Sequence, residues 1–177
     1  MILALDLATI RCGWCVGDGS ETPLAGCWIF PHVGDDLGAL ALDYEDRLLA
    51  AIRTYAPSLV VYESPIMVSS RDRLAVVRKL YGLGWGTELA CKRLGIECRE
   101  AGLRRIKKEL AGYAGADKAD MVFAARKLGV VLPPTKAQGL EDAADSVGGW
   151  LMGLRHANPR MADRWDSKLW SSRGALI

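Results

Sequence analysis

The stretch at residues 2–6 reads Ile2-Leu3-Ala4-Leu5-Asp6, and the stretch at residues 59–63 reads Leu59-Val60-Val61-Tyr62-Glu63. Each apolar run is typical of a strand covered on both faces in an α/β sheet. The carboxylate that ends each run loses solvation there and needs a cation, a metal or hydrogen bonds as compensation. These two stretches therefore indicate the fold class and also the place where a functional site is expected.

The segments around these two strands predict the rest of the fold. Strand-like patterns cover residues 2–8, 13–16, 24–30, 59–63 and 96–100, and helical patterns cover 36–55, 71–94, a short segment after 104–108, 118–128 and 140–156. Short connections between the first three strands favour antiparallel hairpins. The later alternation of helix and strand completes a mixed five-stranded sheet flanked by helices. We expect one domain over residues 1–157 and a polar C-terminal tail over 158–177, which is mobile or a docking segment.

Composition places the chain among ordinary globular proteins. Of its 177 residues, 50% are hydrophobic and 25% are charged, and the net charge is +2. The five cysteines have no disulfide-framework spacing, which is typical of a reducing compartment. Met1 leads directly into strand-like sequence, and no apolar stretch approaches the length of a membrane span. We therefore expect a cytoplasmic protein without a membrane partner.

A third acidic segment follows near the end of the chain, where Asp142 and Asp145 lie three residues apart in a predicted helix. At that spacing they share one side of the helix, close to its N-terminus. With Asp6 and Glu63 they offer the oxygen ligands that Mg²⁺ prefers, and two such ions can act together on a phosphodiester. Each acid taken alone also has a plainer interpretation. Asp142 and Asp145 point away from the apolar stripe of their helix and fit a solvated helix face. Asp6 fits a paired structural acid, and Glu63 fits the exposed end of its strand.

The order of these motifs resembles the RuvC family of Holliday-junction resolvases, which have the RNase H-like fold. The matching segments are Ile2–Asp6 with Gly13-Trp14, Val60–Glu63, Ile106–Gly112 with Ala116–Lys118, and Asp142-Ala143-Ala144-Asp145, with His156 near the histidine of the family's last helix. The resemblance spans about residues 1–157. It implies that Asp6, Glu63, Asp142 and Asp145 bind two Mg²⁺ or Mn²⁺ ions, and that Lys107 and Lys118 contact the substrate.

Two basic clusters favour a DNA-facing surface, since arginine and lysine supply phosphate contacts. The predicted DNA-binding residues are Lys107, Lys108, Arg104, Arg105, Arg71 and Arg73. Without the acidic site, ordinary solvated surface would be the better interpretation of these clusters. The helix at 71–94 carries Leu80, Tyr81 and Trp85, which are either core residues or, by the resemblance, part of a homodimer interface.

Two departures from the family pattern stand out. Leu7-Ala8-Thr9 follows the first aspartate where the family has Pro-Gly, and Ile66 stands where the family has an aromatic residue that stacks on bases. Such divergence in a compact domain would suit a phage- or virus-borne member, acting in the host cytoplasm. Cys12-Gly13-Trp14-Cys15 has thiol-redox spacing, but it runs into a predicted strand instead of opening a helix.

The sequence thus predicts a divalent-metal-dependent endonuclease that resolves four-way DNA junctions as a homodimer and leaves 5′-phosphate and 3′-hydroxyl ends. Lys118 would stabilise charge at the reacting phosphate. No nucleotide cofactor is expected, because the actin-like ATPases that share the core fold need a longer chain. Two alternatives stay open at this point. One is an RNase H-like nuclease acting on flaps, forks or RNA–DNA hybrids, and the other is a non-catalytic junction binder.

Overall fold

A computed structural model describes residues 1–32, 34, 36–65 and 74–170. The strands are β1 (Ile2–Asp6), β2 (Arg11–Gly17), β3 (Leu24–Ile29), β4 (Leu59–Glu63) and β5 (Glu97–Ala101). The helices are α1 (Leu37–Tyr55), α2 (Leu74–Leu94), α3 (Leu103–Ala111), α4 (Lys118–Lys127), α5 (Leu140–Ala157) and α6 (Pro159–Trp170), with a 3₁₀ turn at Lys136–Gln138 before α5.

The strands form one sheet in the order β3-β2-β1-β4-β5. β1, β2 and β3 pair antiparallel through short connections, whereas β4 and β5 extend the sheet parallel to β1 after helical crossovers. The predicted mixed five-stranded sheet is therefore confirmed. β1 ends at Asp6, two residues earlier than predicted; its ladder with β2 ends at the Asp6–Gly13 pair, and its ladder with β4 ends at the Leu5–Tyr62 pair.

Each face of the sheet is covered by its own hydrophobic layer, because successive side chains of a strand point to opposite faces. Leu3 and Val60 point towards α1 and α2, whereas Ile2 and Val61 point towards α3, α4, α5 and α6. The same alternation separates Cys12 from Cys15, which lie in different layers. All five cysteines are free thiols, and a Cys12–Cys15 redox pair is excluded by this geometry.

The helix α5 is the centre of the second layer. It packs on four strands and against α3, α4 and α6, and every residue from Ala143 to Leu154 is buried. The sequence predicts a single apolar stripe with both aspartates pointing away from it, as on a solvated helix face, but Asp145 is only 2% exposed. Small residues allow the close packing: a Cβ on Gly148 or Gly153 would lie 2.8 Å from the side chains of Ile106 and Ile2, respectively.

The segment after residue 157 is not an irregular tail, at least up to residue 170. It forms α6, whose Ala162, Trp165 and Leu169 are buried against the second layer. The Trp165 indole packs edge-on against Trp150 with ring centroids 5.3 Å apart, and its Nε1–H donates to the Gly19 carbonyl at 3.0 Å. The spacing of these three residues, at intervals of three and four, is typical of a helix with one buried side.

In the described part of the chain, none of the helices combines the length and the apolar character needed to cross a bilayer.

Candidate active site

The parallel pairing of β1 and β4 brings the first two acids together. Leu5 pairs with Tyr62, so Asp6 and Glu63 follow as the next residues of adjacent strands, at the same edge of the sheet. Both side chains are partly buried. Two carboxylates that leave water at neighbouring strand ends repel each other, and a cation placed between them would relieve that repulsion.

The helix α5 brings the other two acids to the same place. Its N-terminal end crosses β2 at Gly13, the residue that pairs with Asp6 across β1 and β2. A Cβ on Gly13 would lie 1.9 Å from the Asp142 backbone oxygen, so the helix touches the strand backbone directly. Only glycine permits this approach, which sets Asp142 over the end of β1 and places Asp145 one turn deeper.

The acid pKa values record this crowding. Burial, followed by the charges of Glu63 and Asp145, holds the pKa of Asp6 well above its usual range. Burial and the charge of Asp145 raise the pKa of Glu63 from 4.5 to about 7. Burial also raises the pKa of Asp145, although the neighbouring Lys118 opposes it. The four predicted acids therefore interact within one site, where burial and mutual repulsion both disfavour the charged forms of Asp6, Glu63 and Asp145.

Three cations border the acids from two sides. Lys118, the first residue of α4, donates to the Asp145 carboxylate. Burial acts to lower the pKa of Lys118, but the charge and hydrogen bond of Asp145, together with the charges of Asp6 and Asp142, raise that pKa overall. Lys107 on α3 is close enough to oppose the raised pKa values of Glu63 and Asp145. On the β2 side, Arg11 Nε lies 3.2 Å from Asp142 Oδ2.

Lys118 is held in position by the start of its helix. The Asp117 side chain caps α4 by accepting from the Asp120 amide at 2.9 Å, and the Asp120 side chain accepts from the Asp117 amide at 2.9 Å. This reciprocal capping box fixes the first turn of the helix. The ammonium group therefore reaches the acids from a rigid base.

The four acids are chemically suitable ligands for a divalent cation, but their side chains are not arranged as a complete metal site. Among the described residues, no three Asp, Glu, His or Cys side chains converge with the geometry of a preformed metal site. Lys118 holds one oxygen of Asp145, and the other, Oδ1, is buried without a hydrogen-bond partner. A buried carboxylate oxygen without a donor is costly and suits a hard cation.

The remaining predicted residues spread more widely. Arg104, Arg105 and Lys108 are exposed on α3, and Arg105 lines a cavity of about 150 Å³ together with Val61 and His156. His156 sits at the far end of α5, where its Nε2 is 3.0 Å from Glu97, so it does not join the acids. Arg71, Arg73 and Ile66 fall outside the described residues.

The electrostatics predict how stability changes with pH when a chelator keeps metal away. The pKa of Glu63 is raised to about 7 in the folded protein, so folding favours its protonated form. The contribution of this group to the free energy of unfolding is therefore fully present below the pKa that Glu63 has in the unfolded chain, and it is lost as pH rises through about 7. We expect Glu63→Gln to be more stable than the parent protein near pH 8, by about 1–3 kcal/mol, with little difference near pH 5. Thermal unfolding measured across this range tests the expectation.

The matched control is Glu45→Gln, on the exposed side of α1. This variant should follow the parent protein at every pH. If the unfolding curves of Glu63→Gln and the parent kept a constant separation from pH 5 to pH 8, the crowding of acids around Glu63 would be contradicted.

No protein-family model matches this chain. The crossover junction endodeoxyribonuclease RuvC of Maricaulis maris is 29% identical over 164 residues, which cover 91% of this chain and 92% of the relative.

Solved structures resemble the fold as a whole. Thermus thermophilus RuvC in complex with a Holliday junction substrate matches with a TM-score of 0.69 at 16% identity, covering 88% of this chain and 95% of that one. The yeast mitochondrial Holliday junction resolvase Ydc2 matches with a TM-score of 0.61 at 12% identity, covering 98% and 81%. These similarities confirm the RNase H-like fold predicted from the sequence.

Proposed function

We propose that this chain, which belongs to the RuvC family, is a divalent-metal-dependent endonuclease that resolves four-way DNA junctions. The observation that carries the proposal is the meeting of Asp6, Glu63, Asp142 and Asp145, drawn from β1, β4 and α5, in one charge-crowded site. A structural role for these acids would not require four of them to repel one another at a strand edge.

The proposed metal ligands are these four carboxylates, with Mg²⁺ or Mn²⁺ as the ion and two ions in each site. The partnerless Asp145 Oδ1 and the high acid pKa values support this assignment. When bound, such ions act as Lewis acids on the scissile phosphate and supply an activated water at neutral pH. Hydrolysis is proposed to leave a 5′-phosphate and a 3′-hydroxyl.

The lysines have proposed roles of their own. Lys118 contacts Asp145, and the Lys118 side chain is half exposed, which leaves it open to a DNA phosphate. There it would stabilise the charge that develops on the reacting phosphate. Lys107 borders the same acids from α3, and it would bind the backbone next to the cut. Arg104, Arg105 and Lys108 would add contacts further along the duplex.

We also propose a homodimer, assembled through α2. Tyr81, Trp85 and Leu89 recur every four residues on one side of this helix, and they are 41%, 78% and 51% exposed. Leu80, which the sequence analysis grouped with Tyr81 and Trp85, is partly buried instead. An apolar stripe of this kind is more typical of an interface than of a solvated helix. A two-fold dimer would present two related sites to the two strands that must be cut.

Trp85→Glu tests the dimer. A charge at the centre of the stripe should weaken self-association by about thirtyfold or more, because a buried interface tryptophan is commonly worth at least about 2 kcal/mol. Sedimentation velocity over a range of micromolar concentrations measures the change. Phe123→Glu is the control, since Phe123 is 71% exposed but lies on α4. A parent protein that stays monomeric throughout would contradict the proposal.

The proposed activity is tested with a panel of labelled DNA substrates. Synthetic four-way junctions, flaps, forks, linear duplex and RNA–DNA hybrid are incubated with the protein and Mg²⁺ or Mn²⁺, and the products are mapped to the nucleotide. Paired, symmetric cuts confined to the junction would support a resolvase. Preferential cutting of hybrids or flaps would assign another nuclease of the same fold, and tight junction binding without products would assign a binder.

A further inference from the structure

We infer that Arg11 is a phosphate-binding positioning residue, which fixes Asp142 and contacts the DNA backbone on the β2 side of the proposed active site. The inference rests on the proposed nuclease function and adds a cation that neither the motifs nor the basic clusters indicated. It is carried by the position of Arg11, by its incomplete contact with Asp142 and by the charge arrangement around the acids.

The position follows from the strand register. Arg11 is the first residue of β2, two residues before Gly13, which pairs with Asp6. Side chains two residues apart in a strand point to the same face. Arg11 therefore lies on the α5 side of the sheet, just beyond the Asp6–Gly13 pair, where the N-terminal end of α5 presents Asp142.

The contact with Asp142 leaves most of the guanidinium unused. Arg11 Nε is 3.2 Å from Asp142 Oδ2, yet Nε is buried and makes no hydrogen bond of acceptable geometry. Asp142 is its only ion-pair partner among the described residues. The Arg11 side chain as a whole is 33% exposed, so it lies at the rim of the site. A guanidinium carries five donors, and a buried one without an acceptor is costly.

The arrangement of charged side chains around the acids favours a DNA phosphate as the acceptor for the Arg11 guanidinium. Lys107 and Lys118 border the acids from α3 and α4, whereas Arg11 stands on the opposite, β2 side. A DNA strand laid across the acids would therefore meet fixed positive charge before and after the cleaved bond. Arginine suits this role because its planar fork can hold a carboxylate and a phosphate at the same time.

The test compares junction binding by the parent protein with that by Arg11→Met, Arg11→Gln and Arg11→Lys, in EDTA so that no cleavage occurs. The dissociation constant is measured by fluorescence anisotropy over a series of KCl concentrations. Loss of one phosphate contact should reduce the slope of log affinity against log salt by about 0.9 and weaken binding by about tenfold at low salt. Arg11→Lys keeps the charge and should keep the slope. Arg53→Met, at the exposed end of α1, should match the parent protein.

Manganese binding without DNA, measured by calorimetry, separates the two possible roles. If Arg11 only holds Asp142 in place, Arg11→Met and Arg11→Gln would change manganese affinity and leave the salt slope untouched, and the inference would be overturned. A reduced slope in either neutral variant supports it, and the glutamine variant serves if the methionine variant does not fold. If the parent protein neither binds junctions in preference to linear duplex nor cuts them, the proposed function fails. That result differs from an unchanged slope of log affinity against log salt in the Arg11 variants.

Discussion

Asp6→Asn should abolish junction cleavage, by about a thousandfold or more, while junction binding stays intact. Burial and the charges of Glu63, Asp145 and Asp142 hold the pKa of Asp6 well above its usual range. An amide of the same shape cannot balance the charge of a divalent cation, so the proposed metal would be bound weakly or lost. Binding is preserved or tightened, because a negative charge facing the DNA phosphates has been removed.

Single-turnover cleavage of a labelled junction measures the first effect, and anisotropy in EDTA measures the second. Asp46→Asn, on the exposed side of α1, is the matched control and should cut like the parent protein. Turnover by Asp6→Asn within about tenfold of the parent rate, in either Mg²⁺ or Mn²⁺, would remove Asp6 from the proposed ligand set.

The second large effect is expected from Gly13→Ala, a change of one methyl group. That methyl would lie 1.9 Å from the Asp142 backbone oxygen and 2.3 Å from its carbon, so α5 must move away from β2. Overpacking against rigid backbone costs on the order of 3 kcal/mol, which corresponds to a fall in Tm of about 6–12 °C for a domain of this size. Displacing Asp142 should also slow cleavage by about a hundredfold.

Gly82→Ala is the control for this glycine substitution. A Cβ on Gly82, within α2, would meet nothing within 4 Å, so alanine should stabilise the helix by up to about 1 kcal/mol. Differential scanning calorimetry of both variants gives the comparison. Equal stability of Gly13→Ala and the parent protein would mean that α5 does not rest on β2 in this way.

The sheet and the strand-end acids could be predicted because their signals are local. Continuous apolar runs that end in Asp6 and Glu63 identify buried strands, and the lengths of the connections decide between antiparallel and parallel pairing. Strand register then brings the two acids together without further information.

The surroundings of α5 and α6 could not be predicted in the same way. A prediction from an apolar stripe assumes that only one side of the helix is buried. The helix α5 is instead enclosed by the sheet and three helices, so Asp145 is buried although it faces away from the stripe. Frequent small residues such as Gly148 and Gly153 were the available signal. In α6 the spacing of Ala162, Trp165 and Leu169 was outweighed by the polar residues between them.

Arg11 was missed for a different reason. It begins a strand and carries no motif, and its partner Asp142 lies far away along the chain. Contacts of this kind are set by how a helix crosses a sheet, which no local pattern encodes. The same holds for Arg105 and His156, whose places beside a cavity remote from the acids follow from the packing of α3 on α5.

If Asp145 is a metal ligand as proposed, its pairing with Lys118 would make metal binding depend on DNA. Without DNA, the ammonium and the ion would compete for the same carboxylate, which would lower metal affinity. A backbone phosphate that drew Lys118 towards itself would release that carboxylate, and ion and DNA would then strengthen each other's binding by the same factor. Through this thermodynamic linkage, the proposed nuclease would bind its metal mainly when DNA is bound.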